Sequence, residues 1–155
     1  MFKTIVVGLD GSDGAKRALH FAVELARRDD ARLVIAHVEQ DIAGKGGGPI
    51  HPDEPEIQAE IDRQASEVSS EGIETRVEKA TIFAGGPGSG IADIADRVDA
   101  DLIVVGTRGH SSVLGVVLGS VAQRLLHLAH HPVLVIPPDA RLLSDSKPSE
   151  AGAAA

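Results

Sequence analysis

Gly106-Thr107-Arg108-Gly109, nine further residues and then Gly119-Ser120 form the stretch of this chain best suited to chemistry. The apolar run Leu102-Ile103-Val104-Val105 feeds directly into it, and the helical pattern Val121-Ala122-Gln123-Arg124-Leu125-Leu126 follows. A strand, a glycine-punctuated loop, a hydroxyl residue and a helix are together the parts that hold phosphate. Glycines let backbone N–H groups turn toward an anion, and a helix N-terminus adds unpaired donors and the positive end of a dipole. The expected ligand is a nucleotide. A purely structural connection is the rival reading, but strand-to-helix links of α/β units run roughly 2–6 residues, and this one is far longer.

Other motifs carry less. Gly86-Pro87-Gly88-Ser89-Gly90 fails the dinucleotide spacing, because Ile91 and Asp93 stand where the third glycine belongs. Gly47-Gly48 leads to Pro49, and no Gly-Lys-Ser/Thr follows a strand, so there is no P-loop. Asp10-Gly11-Ser12-Asp13 has the wrong serine and glycine order for an ATP pyrophosphatase loop; its residues suit a turn and a helix cap first, a site second. His127, His130 and His131 gather near a helix C-terminus, where capping explains them better than metal binding, since Pro132 ends the helix before His131. His37 reads as a packed strand residue, and Asp53, Glu54, Glu56, Glu60 and Asp62 as a solvated face. No general base is evident at the phosphate end, so fast hydrolysis is not expected.

The elements that must position the loop follow from periodicity. Thr4–Leu9 is a short apolar run, and Ala15, Ala18, Leu19, Ala22, Val23 and Ala26 then recur at helical spacing. A second apolar run covers Leu33–Val38. Residues 40–55 read as a loop, and Ile57, Ile61, Ala65 and Val68 as a weaker helical stripe. Ile73, Thr75 and Val77 alternate with Glu74, Arg76 and Glu78, which predicts a half-exposed strand at a sheet edge. Helical Ile91, Ile94, Ala95 and Val98, the strand Leu102–Val105, a helix from Ser120 to about His130 and the strand Val133–Ile136 complete the pattern.

Strictly alternating strands and helices, with most strands apolar on both faces, predict an α/β fold: an open, doubly wound, five-stranded parallel sheet, order 3-2-1-4-5, helices on both faces. In such sheets ligands sit beyond the C-terminal strand ends where the strand order reverses. The first and fourth strands meet there, which brings Asp10 and the Gly106–Ser120 loop to one crevice. The last strand is apolar on both faces yet lies at an edge, a hazard that pairing with a second copy removes.

At 155 residues the chain is read as one domain over 1–138, with 139–155 a small, polar, disordered tail. Three Phe and no Tyr or Trp leave Val, Ile, Leu and Ala to build the core. A net charge of −8 argues against nucleic acid as a partner. No apolar run approaches the roughly 18 residues of a membrane span. The first strand begins within four residues of Met1, too early for a signal peptide, and cysteine is absent, so the expected location is the cytoplasm.

Taken together these residues resemble the nucleotide-binding branch of the universal stress protein family. Its signature G-x2-G-x9-G-(S/T) is met by Gly106, Gly109, Gly119 and Ser120. The likeness runs from Lys3 to Ile136 and includes Asp10-Gly11-Ser12, His37-Val38, Gly85-Gly86-Pro87 with Ile91, and Pro132–Ile136. The resemblance implies an adenine nucleotide, ATP with or without Mg²⁺. It implies Asp10 near the ribose or adenine, and the Val38 backbone on the adenine edge. Gly106 and Gly109 lie along ribose and phosphates, and Gly119, Ser120 and Val121 on the terminal phosphates. Arg108, Ser111 and Ser112 stand outside the family pattern but offer further donors. It also implies a homodimer through Val133–Ile136 and a role in sensing or regulation. A slow ATPase or autophosphorylating enzyme, and a cyclic AMP or AMP binder, are the alternatives.

Overall fold

Five consecutive residues, Thr4–Gly8 (β1), have no exposed face, and a strand buried on both sides can stand only in the middle of a covered sheet. The computed structural model, which describes residues 1–41, 53–107 and 118–142, places it there. Around it lie α1 (Asp13–Asp29), β2 (Arg32–Gln40), α2 (Glu54–Ser70), β3 (Thr75–Ile82), α3 (Pro87–Val98), β4 (Leu102–Gly106), α4 (Ser120–Leu128) and β5 (Val133–Ile136). The sheet order is β3-β2-β1-β4-β5, and every pairing is parallel. The doubly wound fold and its strand order are as expected from the sequence.

Alternation along the strands sends residues to two cores. Ile5, Val7, Leu33, Ile35 and Val104 meet α1 and α2 on one face. Val6, Val34, Ala36, Ile103 and Val105 meet α3 and α4 on the other. All six apolar positions anticipated for α1 are buried. Ser12 caps this helix, its hydroxyl accepting the Ala15 N–H at 3.2 Å, and Asp30 ends it in the left-handed conformation at φ 54°. Edge strand β3 is half-exposed as its alternation predicts.

Several boundaries differ from expectation. Pairing with β2 begins only at Thr75 and carries β3 on to Ile82, while Ile73 is buried ahead of the strand. Helix α2 starts inside the expected loop, at Glu54, because Pro55 in the first turn supplies a helical φ where no N–H partner is needed. Helix α4 stops at Leu128, and Ala129 is already extended. His131 lies beyond it and pairs with Asp96 of α3 at 2.9 Å, so of the three histidines only His127 stands in the last turn. Beyond β5 the chain returns to α1, where Arg17 donates to the Ala140 carbonyl at 2.7 Å. Residues 143–155 of the expected tail lie outside the described residues. Among the described residues no helix is long and apolar enough to cross a membrane.

Two carboxylates hold the entry to β1. Asp101 accepts the N–H groups of Lys3 and Thr4 at 2.7 and 2.9 Å, and Asp29 accepts that of Phe2 at 3.0 Å. The two backbone bonds, from Lys3 and then Thr4, hold the Asp101 carboxyl below its ordinary pKa. A carboxyl whose pKa is lowered by folding adds stability above the ordinary carboxylate range, and loses it as pH falls through the folded value. Asp101→Asn should therefore lower Tm near neutral pH by about 2–4 °C, the shift that ~1 kcal/mol produces in a chain of this size once solvent screening is allowed for. Thermal melts should show the gap between variant and parent closing in acid; a gap independent of pH contradicts this role.

Candidate functional site

The first and fourth strands lie side by side, with Val6 opposite Ile103, yet the helices that follow them leave on opposite faces. Their C-terminal ends consequently frame a crevice. Leu9, Asp10 and Ser12 form one wall, Val38 the far end, Pro87, Ile91 and Val121 another wall, and Gly106 the end of β4. Asp10, Val38, Gly106 and Val121, four of the residues singled out from sequence, thus line one space. Gly119 and Ser120 stand beside it at the start of α4. Arg108 and Gly109, with Ser111 and Ser112, lie outside the described residues.

Each wall has a local cause. The Asp10 carboxylate accepts the Ser12 N–H at 2.9 Å and the Ser12 hydroxyl at 2.5 Å, and Ser12 caps α1. Asp10 therefore shapes the turn as well as facing the crevice. At Val38 the wall comes from α3, whose Gly90 approaches so closely that a Cβ there would stand 2.6 Å from Val38 Cγ1. At Gly106 the neighbour is backbone: a Cβ would meet the Gly14 carbonyl carbon and oxygen at 2.8 Å. The missing side chain of Gly106 is thus required by the seating of α1 against β4, before any ligand is considered. Sequence reading assigned Gly106 to the ligand alone and weighed Gly90 only within a failed dinucleotide motif; glycine spacing carries no signal of which element approaches a given glycine.

At the start of α4, Gly119 has ordinary extended geometry at φ −71° and ψ 163°, and its N–H donates to the Thr107 carbonyl at 2.5 Å. That bond closes the base of the connection from β4. Helix geometry then leaves the N–H groups of Ser120, Val121 and Ala122 without intrahelical acceptors. The Ser120 side chain is exposed beside them, and the first turn contains no acidic residue. Such an end attracts anions. A larger hollow, about 410 Å³ against about 90 Å³ for the crevice, separates α1 from α2. It lies away from the strand ends, and its Lys16 and Arg63 already pair with Glu60. The crevice is where topology and open donors coincide.

The sequence model of the universal stress protein family matches residues 1–137. The chain belongs to this family. It is 37 % identical over 139 residues to a universal stress protein of Thermus aquaticus, covering 88 % of this chain and 99 % of that one. Among solved structures it is similar to the Archaeoglobus fulgidus universal stress protein in complex with dAMP, with 32 % identity, TM-score 0.65, and 86 % and 97 % of the two chains covered. It is also similar to a universal stress protein in complex with cAMP, with 29 % identity, TM-score 0.61, and 88 % and 98 % coverage.

Within this universal stress protein, sequence reasoning missed one part of the neighbourhood. His37, 4 % exposed, has Nδ1 2.8 Å from the Leu9 carbonyl, and its Nε2 meets the carboxylate of Glu54. Glu54 is therefore no member of a solvated face, because α2 begins early enough to set it over β2. The available signal was parity: His37 shares its face with Leu33 and Ile35 and so points at α2.

Because the contact at Gly106 is with backbone, Gly106→Ala should destabilise the nucleotide-free protein by about 1–3 kcal/mol, the usual cost of overpacking. Urea denaturation measures it; an unchanged midpoint contradicts the packing role.

Proposed function

We propose that this universal stress protein binds an adenine nucleotide, ATP with or without Mg²⁺, in the crevice between β1 and β4. The observation that carries the reading is the convergence of Asp10, Val38, Gly106 and Val121 on one crevice beside the uncapped start of α4. The backbone of Val38 serves the adenine edge and Asp10 the ribose side. The N–H groups of Ser120 and Val121 with the Ser120 hydroxyl serve the terminal phosphates, and Arg108 and Gly109 are assigned to the phosphates from the sequence motif. The complexes of the two structural relatives with dAMP and cAMP support an adenine ligand. ATP is preferred because an uncapped helix start offers donors beyond those one phosphate uses.

The protein acts as a cytoplasmic sensor or regulator in stress responses, its nucleotide occupancy setting the surface around the β4–α4 connection. The cysteine-free composition suits a reducing compartment. The one described carboxylate lining the crevice, Asp10, is occupied with Ser12, which supports binding over turnover. The domain that does this spans residues 1–138.

The functional unit is a homodimer through β5. Pro132 and Ile136 accept hydrogen bonds from Ile103 and Thr107, and in a parallel ladder alternate residues face the same neighbour. Val133 and Val135 accordingly direct their N–H and C=O groups to the open edge, ready for a second copy.

Denaturing the purified protein and chromatographing the released small molecules should yield ATP, or calorimetry on the stripped protein should show ATP binding more tightly than AMP and cyclic AMP. Gly119→Val, compatible with its extended backbone, should weaken ATP at least about tenfold, or 1.4 kcal/mol, with little change in Tm. Preference for cyclic AMP or AMP replaces ATP with the alternative ligand; no adenine nucleotide bound at all removes the reading. Val135→Pro deletes an outward N–H and no bond to β4. Sedimentation velocity should find the parent at dimer mass and this variant at monomer mass, whereas a dimeric variant places the interface elsewhere.

A further inference from the structure

On the face of the sheet opposite the α3 wall, His37, Glu39 and Glu54 bring one ligating atom each to within 4.8 Å of one another. Strand β2 supplies two of them: positions 37 and 39 are two apart and point to the same side. Glu54, the first residue of α2, comes over that side from above. We propose that these three residues form a site for a divalent transition-metal ion of the Zn²⁺ class, independent of the nucleotide crevice.

The orientation of the imidazole argues for it. A carbonyl oxygen only accepts, so Nδ1 donates to Leu9 O across 2.8 Å. Nε2 is turned to the Glu54 carboxylate, which also only accepts, and a metal ion there would take the place of the proton that joins them. A ring nitrogen donating to a backbone carbonyl is the usual support of a metal-bound histidine, fixing both tautomer and ring plane. The imidazole is 4 % exposed, so this orientation is built into the sheet and is not a surface rotamer. Both glutamates are half-buried, which keeps one side of the cluster open for water ligands.

Donor type selects the ion. Lys79, the cross-strand neighbour of His37, is turned to Asp62 at 3.6 Å. One nitrogen and two oxygens suit Zn²⁺ with water in its remaining position, and imidazole discriminates against Mg²⁺ and Ca²⁺. Metal here would join the end of β2, the start of α2 and, through Leu9, the exit of β1.

The test uses the full-length protein stripped of nucleotide and treated with chelator, titrated calorimetrically with Zn²⁺ and, by absorption spectroscopy, with Co²⁺. One Zn²⁺ per chain and visible Co²⁺ bands with a nitrogen–oxygen ligand set are expected. Glu39→Gln and Glu54→Gln keep side-chain shape and hydrogen-bonding capacity, and should each weaken the metal by about tenfold or more, with metal-free Tm near that of the parent. His37→Gln should abolish one-to-one binding. Absence of stoichiometric binding, or binding undiminished in both glutamate variants, overturns the site and leaves His37–Glu54 as a tie between β2 and α2. Because nucleotide is absent throughout, failure here leaves the reading of the crevice untouched.

Discussion

Everything at the functional end of this molecule depends on one topological constraint: β1 and β4 are hydrogen-bonded neighbours whose chains depart to opposite faces. Two parallel strands that both fed helices on the same side would have their C-terminal ends covered. Here α1 packs under the sheet and α4 over it, so the space between the two strand ends stays open. The sheet can hold that opening because β1 has no exposed residue and its entry is pinned by the carboxylates of Asp29 and Asp101. Rigidity at the closed end of the strands and an opening at the other are two consequences of one arrangement.

The scarcity of large side chains gives the site its shape. With no tyrosine or tryptophan and three phenylalanines, the core is built from Val, Ile, Leu and Ala. Small residues let helices ride close to the strands, and at Gly90 and Gly106 the approach leaves no room for a Cβ. A crevice walled by aliphatic side chains and exposed backbone is the result, with its polar groups, among the described residues, at the Asp10 turn and the start of α4.

How much of this the sequence disclosed depends on the range of the interaction concerned. The buried face of helix α1 was legible because its six apolar positions obey a single period and its cap is local. The edge position of β3 was legible because alternation reports which faces are wet. Element ends were less so: α2 begins at Glu54 and α4 ends at Leu128 for reasons of backbone angle that periodicity does not record. Asp10 and Gly106 were placed at the crevice by the strand ends, and Val38 and Val121 by the family resemblance, whereas the partnership of His37 with Glu54 was not legible. It joins residues separated by a long connection, and an acidic run looks the same whether one member is engaged or none. Gly106 shows a subtler limit, since a motif glycine met its steric need in Gly14, far from it in sequence.

Strand β2 faces the crevice with one side and the His37–Glu54 contact with the other. Val38 turns to the α3 face and the crevice, while His37 and Glu39 turn to the α1 and α2 face. Alternation keeps the side chains apart, but the backbone is shared, and the Leu9 carbonyl that receives His37 belongs to the residue just before Asp10. The imidazole therefore fixes the exit of β1 from behind, where Asp10 and Ser12 fix it from the front. A turn held from both sides presents its groups in one geometry, and a binding crevice so built spends little free energy on ordering itself around a ligand.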